Sequence, residues 1–265
     1  MDITLNYIDE GAGLPPIVFV HGFLCRHQDW RYQVSHFKAA HRVVACNLRG
    51  HGDTPRGDAP LSMETFGGDV AALLEALDLT GAVLVGHSMG CRVVMEARRQ
   101  AAGRVAGLLL IDGSRGGVDP TTATGNFDSA VAEHGYAAVA RGLFEGMFFD
   151  NPPSWKDETV AHAAAQPESI GKPLFRALVG WDAAQLEAAL SEIDVPVLAI
   201  QSSTMGTDRV RRPLAPGEQS PYQALILERV AGAESETLSG PGHFCMTEAP
   251  DAINARIKEF IETRI

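Results

Sequence analysis

The chain has 265 residues, of which 45% are hydrophobic and 21% charged, and its formal net charge is -11 at pH 7. A chain of this length buries about 70–75% of the surface that its unfolded form exposes, so a sizeable core is available. The acidic balance argues against nucleic acid and anionic membranes as partners, because both are bound through concentrated Lys and Arg.

Several short apolar runs lack the alternation of polar and apolar residues, which is typical of strands in a parallel sheet covered on both faces. They span residues 17–20, 42–46, 82–86, 105–111 and 195–200, and a further strand-like run spans 234–239. Helix-like segments lie between and after them, at 64–78, 89–102, 222–231 and 250–264. Strands that alternate with helices predict an α/β fold with a largely parallel sheet and right-handed crossovers.

One long stretch, residues 113–192, interrupts this alternation with helices and loops only. A connection of this length with its own helices indicates a subdomain. We therefore expect a helical subdomain at 113–192, inserted into a core domain formed by residues 1–112 and 193–265. Residues 202–221 are predicted to be a long polar connection. Its Arg-rich part, 209–212, is interpreted as a solvated loop, with anion binding as the alternative.

The clearest motif is Gly-His-Ser-Met-Gly at residues 86–90, between an apolar run and a helical one. In the pattern G-x-S-x-G the glycines let a strand pack closely against the helix that follows. The serine hydroxyl is then exposed at the head of that helix, whose N–H groups favour developing negative charge. Ser88 is therefore the candidate nucleophile.

Two further segments supply what a serine nucleophile needs. A serine hydroxyl is a weak nucleophile and requires an adjacent base. The candidate base is His243, in Gly-Pro-Gly-His-Phe at 240–244, which follows the last strand-like run. Acyl transfer also requires two donors aimed at the oxyanion. The backbone N–H groups of Phe23, in His-Gly-Phe at 21–23, and of Met89 are the predicted donors.

These motifs, in this order, resemble the α/β-hydrolase superfamily. The segments NLRGHGDT (47–54) and GHFCMTEAP (242–250) are also similar to that superfamily. The resemblance covers essentially the whole chain outside the insertion. It implies a mostly parallel eight-stranded sheet flanked by helices, with a helical cap inserted after the sixth strand. The insertion at 113–192 has the position of such a cap.

The sequence leaves two candidates for the acidic residue that orients the base. Many members of the superfamily carry it in a short turn after the strand that corresponds here to 195–200. This chain continues QSSTMGTD and reaches its first carboxylate only at Asp208. The second candidate is Asp112, at the end of the run 105–111, where some relatives carry their acid. We favour Asp112 and keep Asp208 as the alternative.

Three residues are candidates for substrate binding: His21 and Cys25, after the first parallel strand, and Trp181 in the predicted cap. The mostly apolar pockets of such enzymes are usually roofed by a helical cap, but core packing is the alternative for each residue. Arg49 and His51 are expected to hold the loop in which they lie.

No cofactor and no metal are expected, because the chain contains no P-loop, no G-x-G-x-x-G opening a helix and no H-E-x-x-H. The four cysteines form no C-x-x-C pair. Neither a signal peptide nor an apolar run long enough to span a bilayer is evident. We expect a cytoplasmic protein with free thiols that acts on a small molecule as a monomer or homodimer.

The leading hypothesis is a serine hydrolase of a small carboxylic ester, thioester or lactone. Serine at the nucleophile position argues against dehalogenase and epoxide hydrolase chemistry, for which this superfamily uses aspartate. Two other reactions stay open: C–C bond hydrolysis of a ring-cleavage product, and cofactor-independent dioxygenation of a hydroxy-quinolone by the His–Asp pair. Two features of this chain are similar to those dioxygenases: Asn47 in the NLRGHG loop and a candidate acid at the end of the strand before the insertion. A non-catalytic ligand-binding protein is the third hypothesis.

Overall fold

The computed structural model describes residues 2–115, 119–150, 152–206 and 210–265. Its strands are β1 (Tyr7–Glu10), β2 (Ile17–Val20), β3 (Val43–Cys46), β4 (Ala82–His87), β5 (Val105–Ile111), β6 (Val197–Gln201), β7 (Ser203–Met205), β8 (Arg211–Pro213) and β9 (Glu234–Thr237). Seven of these form the main sheet in the order β1-β3-β2-β4-β5-β6-β9. Strand β1 runs antiparallel to β3, and the other neighbouring pairs are parallel.

Burial explains the apolar runs from which these strands were predicted. Every residue of β2, β3, β4 and β6 is buried. Helices cover both faces of a parallel sheet, so neither face of these strands meets water and neither needs polar side chains. The mostly parallel α/β sheet expected from the sequence is confirmed.

The helices are α1 (Arg31–Phe37), α2 (Met63–Ala76), α3 (Gly90–Gln100), α4 (Pro120–His134), α5 (Tyr136–Glu145), α6 (Lys156–Ala164), α7 (Glu168–Ala184), α8 (Leu186–Ser191), α9 (Pro221–Arg229), α10 (Cys245–Glu248) and α11 (Pro250–Arg264). Helix α2 begins where the Ser62 hydroxyl accepts a hydrogen bond from the Thr65 N–H. It packs closely on α3 at Gly67, where an added Cβ would lie 2.3 Å from the Cβ of Glu96.

Two details of the expected fold are wrong. The main sheet has seven strands within the described ranges, not eight, and the helical insertion follows the fifth strand in chain order. Residues 2–6, which precede β1, form no strand and contact the loop at 47–59. The Asn6 carbonyl accepts from the Asn47 N–H, and the Asp2 carboxylate pairs with Arg49.

The predicted polar connection at 202–221 is also more structured than expected. Strands β7 and β8 form a two-stranded antiparallel ribbon within it, with Ser203 opposite Pro213. The ribbon directly follows β6 and lies close to the carboxyl end of the main sheet. The sequence did not indicate this ribbon, because its residues are mostly polar and a short ribbon lacks the apolar run that identifies a central strand.

Helices α4 to α8 lie between β5 and β6, which is the segment predicted to be a cap. Side chains from this segment line the pocket that contains Ser88. In the described part of the chain, no helix is long and apolar enough to cross a membrane.

Candidate active site

Ser88 lies on a sharp turn between β4 and α3. Its φ angle is 54°, in the left-handed region that disfavours residues with a Cβ. The Ser88 N–H donates to the Ile111 carbonyl at 2.9 Å, which ties the turn to the end of β5. A Cβ on Gly90 would lie 2.4 Å from the Val20 carbonyl oxygen, and one on Gly86 would lie 2.4 Å from the Gly90 carbonyl oxygen. The glycines of the motif are therefore required by close packing.

Asp112 and His243 meet although they are far apart in the chain. The Nδ1 atom of His243 lies 2.6 Å from Oδ2 of Asp112, and both side chains are buried. Asp112 follows β5 with a φ angle of 45°, and His243 lies between β9 and α10. An ionised carboxylate accepts the Nδ1 proton, which leaves Nε2 of a neutral imidazole free to act as a base.

The Asp112 carboxylate is held by the segment that follows β6. Its Oδ1 accepts from the backbone N–H groups of Ser202 at 2.7 Å and Ser203 at 2.9 Å. Its Oδ2 accepts from the Ser203 hydroxyl and lies 3.5 Å from Nη1 of Arg211. Burial raises the pKa of Asp112, but the hydrogen bond and charge of His243, with Arg211 and Ser203, lower it to about 2.

The other candidate acid, Asp208, lies outside the described residues. Sequence reasoning missed Ser203 and Arg211, which hold the Asp112 carboxylate. Both belong to the polar stretch 202–221, in which no spacing distinguishes them from solvated residues. The consecutive serines directly after a buried strand were the only local signal, because strand ends meet at the ligand-binding edge of such a sheet.

His243 is positioned by contacts on three sides. The backbone N–H of His243 donates to the Met147 carbonyl at 2.9 Å, and the backbone carbonyl of His243 accepts from Nε2 of His87 at 2.8 Å. Burial, followed by the positive charge of Arg211, lowers the pKa of His243 to about 4, although Asp112 raises it. The imidazole is therefore neutral at pH 7 and can accept a proton.

The two predicted oxyanion donors lie beside Ser88. The turn that carries Phe23 approaches so closely that a Cβ on Gly22 would lie 3.1 Å from Cβ of Ser88. Phe23 also lines the pocket, and Met89 directly follows Ser88. Among the described residues, neither the Phe23 nor the Met89 N–H donates to another protein group. Both donors are thus available to a bound oxygen.

The pocket next to Ser88 is apolar on most of its wall. The helical segment supplies Leu143, Met147, Phe175, Leu178 and Val179. The polar part of the wall is formed by Arg92, Ser114, Arg115, Asp182 and Arg211. An apolar pocket with a few convergent polar groups is the usual form of a site for a small molecule.

None of the three candidate substrate-binding residues is among those that line this pocket. His21 is buried, with Nδ1 2.8 Å from the Gly22 carbonyl oxygen, and its Nε2 accepts from the Leu48 N–H at 3.0 Å. Cys25 is buried in the core. Trp181 donates from Nε1 to Glu96 of α3 at 2.9 Å. Each side chain is engaged in packing or hydrogen bonds away from the pocket.

The loop that carries Asn47 and Arg49 is held by buried polar contacts. Oδ1 of Asn47 accepts from the His27 N–H at 2.8 Å, and its Nδ2 donates to Asn6 at 2.9 Å. Arg49 forms two hydrogen bonds with Asp69, at 2.9 and 2.8 Å. These residues hold the loop and do not line the pocket of Ser88. Among the described residues, no group of three or more His, Cys, Asp and Glu side chains could hold a metal ion.

A serine on a tight strand–helix turn, beside a buried His–Asp pair at the carboxyl end of a parallel sheet, defines an α/β enzyme of the hydrolase type. The chain belongs to the family described as the Alpha/beta hydrolase family, whose model matches residues 17–256.

Relatives and solved structures agree with this family. A non-heme chloroperoxidase of Streptomyces lividans is 30% identical over 278 residues, which cover 98% of this chain and 96% of that protein. The structure of Est816, described as an N-acyl homoserine lactone degrading enzyme, has a TM-score of 0.76 and 26% identity, covering 97% of each chain. The enol-lactonase from Burkholderia xenovorans LB400 shares the fold, with a TM-score of 0.77, 22% identity and coverage of 97% and 96%.

Proposed function

We propose that this enzyme is a serine hydrolase that cleaves a small carboxylic ester, thioester or lactone through Ser88, His243 and Asp112. The observation that carries the proposal is the 2.6 Å contact between Nδ1 of His243 and Oδ2 of Asp112. The strained turn of Ser88 is tied to the same place, because its N–H donates to Ile111, next to Asp112, and His87 donates to the His243 carbonyl. This arrangement orients the ring and leaves Nε2 for the serine proton.

The reaction then follows in two halves. Ser88 Oγ attacks the carbonyl carbon while Nε2 of His243 takes its proton, and the oxyanion accepts hydrogen bonds from the Phe23 and Met89 N–H groups. Collapse of the tetrahedral intermediate breaks the bond to the leaving group, which receives the proton from His243. In the second half, water attacks the acyl-enzyme while His243 takes its proton. The bond between the acyl carbon and Ser88 Oγ then breaks, and His243 returns the proton to Oγ as the acid leaves.

We propose further that residues 113–192 act as a helical cap that determines which substrates enter. Its apolar side chains form much of the pocket wall, which favours an alkyl or aromatic part in the substrate. The lactone-degrading activity named for Est816 supports the inclusion of lactones in the substrate class. A lactone and an open ester present the same carbonyl to Ser88.

The first test is the hydrolysis of short-chain p-nitrophenyl esters by the wild type and Ser88→Ala, with dissolved oxygen monitored. We expect kcat to fall by about 10⁴–10⁶-fold in the variant, without oxygen consumption. A fluorophosphonate should label the wild type and leave Ser88→Ala unlabelled.

Other outcomes would overturn the proposal. Activity on hydroxy-quinolones that consumes oxygen and survives in Ser88→Ala would indicate cofactor-independent dioxygenation by the His–Asp pair. Cleavage of a ring-cleavage product without ester hydrolysis would indicate a C–C bond hydrolase. The structure weakens one argument for the dioxygenase, because both amide atoms of Asn47 are used to hold the loop.

A further inference from the structure

Arg211 is a buried cation on the wall of the candidate active site. Its side chain is only 6% exposed, and it lines the same pocket as Ser88. The sequence had suggested a solvated loop at 209–212, with anion binding as the alternative. Removing a guanidinium from water costs several kcal/mol unless an anion and hydrogen-bond acceptors compensate it. The partners of Arg211 therefore indicate whether the compensation is complete.

Within the described residues, the hydrogen bonds of Arg211 use Nη1 alone. Nη1 donates to the Ser203 hydroxyl at 2.7 Å and lies 3.5 Å from Oδ2 of Asp112. The same Oδ2 already accepts from the Ser203 hydroxyl and from His243. A guanidinium has five N–H donors in a planar fork, so this arrangement satisfies it only in part. Because the His243 imidazole is neutral at pH 7, Asp112 is the counter-charge of Arg211, and Nε and Nη2 of Arg211 donate to none of the described residues.

The charges of the other two arginines on this wall are compensated more fully, by a carboxylate at Arg92 and by a carboxylate and solvent at Arg115. Arg92 donates from Nε and Nη2 to the Asp182 carboxylate, both at 2.8 Å, and from Nη1 to the Ser88 carbonyl at 3.0 Å. Arg115 pairs with Glu187 at 2.9 Å, and both side chains are about half exposed. Of the two buried arginines on this wall, Arg92 and Arg211, Arg211 is thus the one whose donors are less fully used by the described residues.

We propose that the substrate of this enzyme carries a carboxylate, which Arg211 binds while the ester or lactone carbonyl lies at Ser88. This inference rests on the proposed function. A planar carboxylate matches the guanidinium fork and would accept hydrogen bonds from the Arg211 donors that Asp112 and Ser203 leave unused. The rest of the wall next to Ser88 is mostly apolar, so it suits a singly charged carboxylate better than a phosphate dianion, which carries a second charge to compensate.

The test compares charged and uncharged substrates of the same shape. One pair is mono-p-nitrophenyl adipate and its methyl ester, with the carboxylate in the acyl part. The other is 4-(butanoyloxy)benzoate and its methyl ester, with the carboxylate in the leaving group. We expect kcat/KM of the wild type to favour the charged member of at least one pair by about 10–100-fold.

Substitution of Arg211 separates binding from the other effects of this residue. Arg211→Gln will change the rates of both members of a pair, because Arg211 also faces Asp112 and His243. Their ratio removes that common effect, and we expect it to fall to about one, whereas Arg211→Lys should retain part of the preference. Arg212→Gln, which removes an exposed guanidinium that does not line the pocket, is the matched control and should keep the wild-type ratio.

Failure of this inference can be told apart from failure of the proposed function. Ser88-dependent hydrolysis without preference in either pair, or a preference that survives in Arg211→Gln, would overturn the carboxylate site and leave the hydrolase. If no substrate is cleaved, the carboxylate site is tested by calorimetric titration of Ser88→Ala with monomethyl adipate and with dimethyl adipate. The site is supported if only monomethyl adipate binds and if this binding is lost in the double variant that also carries Arg211→Gln. Equal binding of the two compounds, or no binding of either, refutes the site.

Discussion

At the scale of single residues, Asp112 performs several tasks at once. Its carboxylate accepts from two backbone N–H groups and the Ser203 hydroxyl, and it also contacts His243 and Arg211. A carboxylate held in this way keeps the imidazole in one tautomer and stabilises the imidazolium during reaction. The role assigned to Asp112 therefore depends on its charge as well as on its shape.

Asp112→Asn should lower kcat by about 10⁴-fold, because the amide preserves the shape but favours the wrong imidazole tautomer. The measurement is steady-state ester hydrolysis, with circular dichroism to verify the fold. Asp208→Asn is the matched control and should remain near wild type. The assignment is wrong if Asp208→Asn is the crippled variant and Asp112→Asn is not.

The pH profile tests the environment of His243. Only the neutral ring accepts the serine proton, so activity should be lost as the pH falls through the pKa of His243, which is lowered to about 4. Burial and the positive charges of Arg211 and Arg92 depress this pKa, Asp112 opposes them, and His87 also faces the ring. We expect kcat/KM to be flat from pH 5 to 8.

Removal of the Arg211 charge should move the acid limb of kcat/KM to higher pH, because the imidazolium then loses a repelling neighbour. The limb is measured in Arg211→Gln with an uncharged ester, over the range in which the fold is intact. A wild-type limb near pH 6.5, or no movement in the variant, would contradict this account of His243.

At the scale of elements, two consecutive residues of α7, Trp181 and Asp182, form polar contacts with α3. Trp181 donates to Glu96 at 2.9 Å, and Asp182 accepts from Arg92 at 2.8 Å. Arg92 and Glu96 are four residues apart and therefore lie on one face of α3. Because Arg92 also donates to the Ser88 carbonyl, these contacts connect the helical segment to the nucleophile turn.

Asp182→Asn should destabilise the protein by about 3–5 kcal/mol, because it removes the charged partner of the buried Arg92 guanidinium. Urea denaturation measures the free energy of unfolding. Glu187→Gln, which disrupts exposed ion pairs with Arg115 and Arg229, is the control and should change stability by about 0–1 kcal/mol. Equal effects of the two substitutions would contradict this interpretation of Asp182.

At the scale of the whole molecule, the helical segment and the C-terminal histidine loop are packed together. A Cβ on Gly242 would lie 2.6 Å from the Met147 carbonyl oxygen, so the two backbones touch. Phe148 stacks on Phe244 with ring centroids 5.2 Å apart, and Phe244 also lies 5.4 Å from His87. The position of His243 thus depends on the insertion as well as on the sheet.

Phe244→Ala should cost about 3–5 kcal/mol of unfolding free energy, because it leaves a cavity where the helical segment, the histidine loop and β4 meet. Phe244 is 1% exposed, whereas Tyr32 is 38% exposed. Tyr32→Ala is therefore the control, for which we expect a change within about 0.5 kcal/mol. Similar midpoints of urea denaturation for both variants would show that Phe244 does not join these parts.

Much of the fold could be predicted because its signals are local. The strand predicted at 105–111 is β5, Val105–Ile111, and the helix predicted at 250–264 is α11, Pro250–Arg264. Apolar runs and helical spacing report burial within one element, and the G-x-S-x-G pattern reports one turn. For the same reason, Ser88 and His243 could be proposed without any tertiary information.

The remaining features depend on contacts between distant parts of the chain. Asp112 meets Ser203 across 91 positions and His243 across 131, so the order of the strands in the sheet brings them together. The burial of Arg211 and the placement of Trp181 against α3 have the same origin. The sequence by itself determined most strands of the main sheet and the candidate serine and histidine. The tertiary structure placed the carboxylate of Asp112 and the buried guanidinium of Arg211 near them, because contacts between distant residues leave no local signal in the sequence.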